Sequence, residues 1–213
     1  QLRMAAGVHL RTERFEPRGV SMTTRATPTT LPEVTYERSV TAAFVEVRAP
    51  LIGSENRRAW ARAVELSLAA RYERYDDVGK TTNPKIGVLW DVAEGWRVRA
   101  TYGASFRAPN LTEVFDTESI SPTFLPSSAG QTLSLFLSGG NPDLKPETAK
   151  SWTFGVDLAP PRFPGFTASA TWFDIDFEGQ ISQPVISDTA NALINPIYSP
   201  FVRRLAAGSA EDL

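Results

Sequence analysis

The sequence predicts an all-β chain of long antiparallel strands, a section of a transmembrane β-barrel. Three observations carry that prediction. Apolar and polar residues alternate with period two through most of the stretches that the 16 prolines leave free. Those stretches run to about ten to thirteen residues, which at roughly 3.4 Å each and a tilt of about 45° cover on the order of 25–30 Å, the height of a membrane band. Soluble strands are usually about five or six residues long. The connections alternate long and short, so one rim of the sheet gathers the long loops and the other the tight turns, as in membrane barrels.

Residues 2–13 open the pattern, with Leu2, Met4, Ala6, Val8 and Leu10 on one face and Arg3, Gly7, His9, Arg11 and Glu13 on the other. A Thr/Pro-rich loop over 14–38 follows, then a weaker alternation over 39–49. The third strand, 60–75, sets Trp60, Val64, Leu66, Leu68, Ala70 and Tyr72 against Glu65, Ser67, Arg71 and Glu73. A link through Asp76-Asp77-Val78-Gly79-Lys80-Thr81-Thr82 leads to a fourth strand, 84–92. The turn Ala93-Glu94-Gly95 gives way to 96–107, the clearest case: Trp96, Val98, Ala100, Tyr102 and Phe106 alternate with Arg97, Arg99, Thr101, Gly103, Ser105 and Arg107. A long loop, 108–148, contains Asn110 as the expected N-cap of a short helix at 111–116. The sixth strand, 149–159, places Trp152, Phe154, Val156 and Leu158 on one face. A tight turn at 160–165 precedes the seventh, 166–181, and 182–213 is a further long loop. In the seventh strand the phase slips, with Phe166, Ala168, Ala170 and Trp172 on one parity and Phe173, Ile175, Phe177 and Ile181 on the other. A one-residue slip exchanges faces, so either a β-bulge lies near Trp172 or the strand leaves its apolar surroundings there.

A soluble secreted β-sandwich that binds carbohydrate through exposed aromatics is the alternative, since antiparallel sandwiches alternate too. The aromatics favour the barrel. Trp60, Trp90, Trp96 and Phe166 fall beside the short turns, and Tyr72, Phe106 and Trp152 toward the long loops, which predicts two interfacial belts. The other face is charged, as a lumen is. Arginine outnumbers lysine 18 to 4, and its planar fork suits bidentate pairing with luminal carboxylates.

Composition excludes several functions. With 22 basic against 24 acidic residues there is no nucleic-acid footprint. The absence of cysteine removes disulfide scaffolds, zinc ribbons and thiol nucleophiles, and the lone His9 removes most metal and Ser–His–Asp sites. No run approaches the roughly 18 apolar residues of a membrane helix. A start at Gln1 without a signal-peptide layout predicts a mature or truncated segment. Gly79-Lys80-Thr81 lacks the first glycine of a phosphate loop, Arg74 standing there, and reads as a turn. Asp174, Asp176, Glu178 and Gly179 imitate an EF-hand opening, but Val185 occupies the closing Glu position and the segment alternates like a strand. Asn110-Leu111-Thr112 fits a glycosylation sequon, but Asn110 reads better as the helix N-cap. No nucleophile, base and orienting group assemble, so neither enzyme nor metal nor cofactor is expected.

Ser105-Phe106-Arg107-Ala108-Pro109-Asn110-Leu111, followed by Gly140-Asn141-Pro142-Asp143-Leu144-Lys145-Pro146-Glu147, resembles the barrel of TonB-dependent outer-membrane receptors. Phe44-Val45-Glu46-Val47-Arg48-Ala49-Pro50-Leu51, Asn83-Pro84-Lys85-Ile86-Gly87 and Trp172-Phe173-Asp174-Ile175-Asp176-Phe177 look similar to the same family, in consistent order from about residue 5 to residue 200. The resemblance implies a 22-stranded barrel in the bacterial outer membrane, plugged by an N-terminal domain. It implies capture of a scarce nutrient (siderophore, haem, cobalamin or carbohydrate) and import driven by the TonB–ExbB–ExbD complex. The chain shows seven strands and neither plug, TonB box nor terminal aromatic, and residues 210–213 read as loop or incipient helix. It is therefore expected to be a middle-to-late section of such a barrel, bordered by outer-membrane lipid. Ligand contact is expected from luminal Arg97, Arg99 and Arg107, and from Asn110, Glu113, Asp116 and Glu118 in the loop 108–148.

Overall fold

A computed structural model describes residues 1–18, 20–21, 29–30 and 33–205. They fall into two compact units, Gln1–Leu111 with Asp143–Gln180, and Thr112–Pro142 with Ile181–Leu213. The expectation for residues 210–213 lies outside the described residues.

In chain order the strands are β1 (Arg3–Phe15), β2 (Val20–Ser21), β3 (Thr29–Thr30), β4 (Tyr36–Ile52), β5 (Ala63–Tyr75), β6 (Gly79–Ala93), β7 (Trp96–Arg107), β8 (Ser119–Ser127), β9 (Gly130–Ser138), β10 (Glu147–Leu158) and β11 (Ala168–Glu178). The first unit is built on one seven-stranded sheet in the order β1-β4-β5-β6-β7-β10-β11. All six pairings are antiparallel. β2 and β3 pair only with each other, between β1 and β4.

The register carries the parity of each strand across the sheet. Val156 faces Val98 and Ala170, Val98 faces Trp90, and Trp90 faces Val64. This apolar face is bare within its unit: Met4 is 68%, Val8 80% and Trp152 54% exposed. A sandwich would bury such a face under a second sheet, and no described residue of the unit does so. The sheet is a wall, and its apolar side is suited to lipid.

Several boundaries differ from the sequence expectation. β6 begins at Gly79 rather than at Pro84, leaving only residues 76–78 as the link from β5. A proline lacks the ladder donor and was expected to bound the strand. However, β6 needs full pairing on one side only there, because β7 accompanies it no further than Lys85↔Gly103. β4 extends to Ile52 past Pro50, at the cost of a register irregularity between Pro50 and Ile52. The loop 108–148 is not featureless. It holds the short helix α1 (Leu111–Phe115) and the hairpin β8–β9, which belongs to the second unit. Pro122 and Pro126 masked that hairpin, yet both lie on β8, which pairs with β9 alone and so has an edge that needs no donor. The segment after β11 likewise carries structure, two 3₁₀ turns at Ile186–Asn191 and Pro196–Phe201.

The phase slip in β11 resolves without a bulge. Its register with β10 is unbroken from Leu158↔Ala168 to Thr148↔Glu178. Hence Asp174, Asp176 and Glu178 continue the face of Ala168, Ala170 and Trp172, while Phe173, Ile175 and Phe177 continue that of Ser169 and Thr171. On the neighbouring strand the same face passes from Trp152 to Lys150, directly opposite Asp176. The apolar band therefore ends at Trp152 on β10 and Trp172 on β11, with Asp174 directly opposite Trp152 and charge on both strands beyond it. These three acids sit on an extended strand, which is not the geometry of an EF-hand loop.

Candidate functional site

The polar face of the sheet is tied together by ion pairs between neighbouring strands. Near the short turns, Arg97 donates to both carboxylate oxygens of Asp91, at 2.6 Å and 3.1 Å. Arg99 reaches across β10 to Asp157 at 3.2 Å and to Thr171 on β11 at 2.5 Å. Gly155 makes that reach feasible, since a Cβ there would lie 2.6 Å from the Arg99 Cζ. Thr101 and Thr153, directly opposite each other, share a hydrogen bond. At the long-loop end Arg107 Nε donates to Glu147 at 2.5 Å, again between paired residues.

A denser cluster lies at the same end on β1, β4 and β5. Arg11 pairs with Glu13 at 2.8 Å and stands 3.6 Å from Glu73, which also accepts from Arg71 at 2.8 Å. Arg38 is 1% exposed and contacts Asp77 at 2.6 Å and Glu13 at 3.4 Å. The guanidinium groups of Arg11 and Arg38 lie 5.6 Å and 5.8 Å from the Tyr75 ring centroid, within cation–π range. Three guanidinium groups thus meet three carboxylates and one phenol. The match keeps the cluster neutral, which is what permits burial of charge.

The residues singled out in the sequence are distributed, not gathered. Arg97 and Arg107 lie ten positions apart on one strand, roughly 34 Å end to end. Arg97 and Arg99 belong to the short-turn half, Arg107 and Asn110 to the long-loop end. Glu113, Asp116 and Glu118 belong to the second unit. There the Glu113 carbonyl accepts from the Asn141 N–H at 2.8 Å, and Asp116 links to Gly140 at 3.0 Å, so both positions brace the base of the hairpin. Glu118 sits tight against Gly139, where a Cβ would be 2.8 Å from its Cα.

Phe106 corrects the expected belt. Its ring lies 5.6 Å from that of Tyr75, a polar-face residue opposite Val40. Tyr72 and Trp152 hold their expected face, with Tyr102 packed 4.5 Å from Trp152 beside them. Sequence reading also passed over Arg38. The available signal was on β4, where Val40, Ala42 and Phe44 occupy the parity that other strands fill with polar residues. Val40 and Ala42 are buried, so something covers the polar face there.

Comparison with known proteins accords with this wall. The model of the TonB dependent receptor-like β-barrel matches residues 2–203. The chain is 30% identical over 129 residues to the iron-regulated outer membrane virulence protein of Vibrio cholerae serotype O1, a match covering 61% of this chain and 18% of that protein. It thus spans about a fifth of the length of the curated relatives it matches. Among solved structures it is similar to the siderophore receptor PirA of Acinetobacter baumannii, with a TM-score of 0.60, 17% identity, and coverage of 84% of this chain and 25% of that one. A variant of the ferric enterobactin receptor PfeA of Pseudomonas aeruginosa gives a TM-score of 0.61 at 18% identity, over 83% and 24% of the two chains. Those two likenesses speak for the fold. The open seven-stranded wall, apolar outside and ion-paired inside, belongs to the TonB-dependent receptor family, as a section of its outer-membrane β-barrel.

Proposed function

We propose that the receptor of which this chain is a section imports a ferric siderophore across the outer membrane, driven by the TonB–ExbB–ExbD complex. The observation that carries the reading is the family match over residues 2–203, joined to an inner wall on which Arg11, Arg71, Arg97, Arg99 and Arg107 are paired with carboxylates. Such a wall presents a fixed, hydrated lining rather than a catalytic site, in keeping with passage of a ligand. The siderophore class rests on the names of the relatives, iron-regulated in one case and siderophore receptors in the others. Arg107 and Asn110, with Glu113, Asp116 and Glu118, are the residues we assign to ligand contact. Arg97 and Arg99, in ion pairs toward the short turns, serve the deeper wall.

A strain lacking the full-length receptor, supplied in turn with radiolabelled ferric siderophores, haem, cobalamin and maltodextrins under iron limitation, tests the proposal. Loss of uptake of at least one ferric siderophore, reproduced by deleting TonB, is the expected result. Loss confined to one of the other nutrients overturns the siderophore assignment, and uptake indifferent to TonB overturns the transport mechanism.

A further inference from the structure

β6 and β7 part company before either strand ends. Their ladder stops at Lys85↔Gly103, while β6 runs on to Gly79 beside β5 and β7 runs on to Arg107 beside β10. The next position of β6 is Pro84, which has no N–H to offer a partner. The freed end of β7 then turns across the polar face. Phe106 follows the parity of Val98, Ala100 and Tyr102, yet its ring meets Tyr75 on the opposite side of the wall. Three residues later Pro109 is fully buried, and its carbonyl accepts from Arg38 Nη1 at 2.7 Å. Leu111 is 5% exposed. Tyr75, which Phe106 meets, is buried on what is otherwise the polar side, as are Val40 and Ala42 on the neighbouring strand.

Arg38 holds this arrangement from behind. Its Nε donates to Asp77 at 2.7 Å, in the turn between β5 and β6, and Nη1 also faces Glu13 of β1 at 3.4 Å. A guanidinium so enclosed depends on its partners: Nε is used on Asp77 and Nη1 on a backbone carbonyl that no ladder satisfies, while Nη2 lies in the Asp77 ion pair without a hydrogen bond. The Arg38–Pro109 bond therefore couples the wall to the exit of β7.

We propose that Arg38 is a positioning residue, a latch that keeps residues 106–111 folded inward over β4 and β5 and so narrows the bore at the long-loop end. The ion pair with Asp77, whose Oδ2 lies 2.7 Å from Nε and 2.6 Å from Nη2, aims the guanidinium, and the Tyr75 ring, with Phe106 packed beside it, forms the floor.

The test uses the full-length receptor in outer membranes, in a background otherwise free of cysteine; this chain contributes none. Leu111→Cys reports release of the latch by its rate of labelling with a water-soluble maleimide. Ala61→Cys, at a position 0% exposed near the short-turn end, reports general loosening. With Arg38→Met, labelling at 111 is expected to rise at least tenfold while that at 61 stays slow, and Arg38→Lys to restore part of the protection. No change at 111, or an equal rise at both positions, overturns the latch. Should Arg38→Met give no heat-modifiable barrel, Asp77→Asn removes the aiming carboxylate and is read by the same two rates. Because the readout is labelling rather than uptake, it is independent of which nutrient the receptor carries.

Discussion

Placing an arginine on the outer face of the wall tests its orientation directly. Val156 points to the apolar side of β10, opposite Val98 and Ala170. It lies four residues from Trp152, the last ring before Lys150. At roughly 3.4 Å per residue and a tilt of about 45° the drop is about 10 Å, close to the middle of a band about 25 Å tall. Val156→Arg should therefore destabilise the folded receptor by about 2–4 kcal/mol, the depth-dependent cost of arginine near the bilayer midplane. Asp174→Arg, on the same face but beyond Trp172, should cost about 0–1 kcal/mol. Thr153, of the opposite parity on β10, provides a control: Thr153→Arg faces water and loses only its bond to Thr101. Urea titration of the full-length receptor folded into lipid vesicles, read by heat-modifiable migration, gives the differences. Equal losses for Val156→Arg and Asp174→Arg would refute both the membrane boundary at Trp172 and the reading of the phase slip. A loss greater at Thr153 than at Val156 would invert the wall.

Three further outcomes follow from local geometry. Gly95→Ala should cost about 1–3 kcal/mol, because Gly95 has φ +74° and a Cβ would come within 2.6 Å of the Ala159 carbonyl carbon; an unchanged urea midpoint would contradict this. A double-mutant cycle of Asp91→Asn and Arg97→Gln should give a coupling of only about 0.5–1 kcal/mol despite its bidentate geometry, since the side chains are 32% and 51% exposed. It should fade in molar salt, and a coupling that salt leaves untouched would show the pair to be more enclosed than this. In the second unit the hydrogen bond to Asp188 holds the Tyr198 phenol above the usual tyrosine range. Its stabilising effect is then complete below the unfolded value near 10 and is lost as pH rises through the raised folded value. Alkaline titration of ring-labelled Tyr198 should shift downward in Asp188→Asn, and an identical curve would show that the bond does not form.

Local pattern was enough for the seven strands of the main sheet, their order along the chain and, Phe106 apart, the face each residue takes. Those properties are local: alternation at 96–107 requires no partner to be recognised, and neither does the Ala93-Glu94-Gly95 turn, whose Gly95 takes a positive φ. Family membership was also legible, because the Asn-Pro-Asp-Leu-Lys-Pro-Glu stretch is a contiguous string. What needed the tertiary structure was everything set by a neighbour. Pro84 looked like a strand boundary until pairing showed that β7 leaves it no ladder to complete on that side. The slip at Trp172 allowed two readings, and only the unbroken register with β10 chose between them. Pairing of the luminal arginines with carboxylates was expected, but which carboxylates was not: Asp91, Asp157 and Glu147 stand 6, 58 and 40 positions away in the chain. Arg38 escaped notice for the same reason. Its burial is produced by Asp77, Glu13 and Pro109 converging from three separate segments, and an ion pair depends on distance in space, which spacing along a strand does not encode.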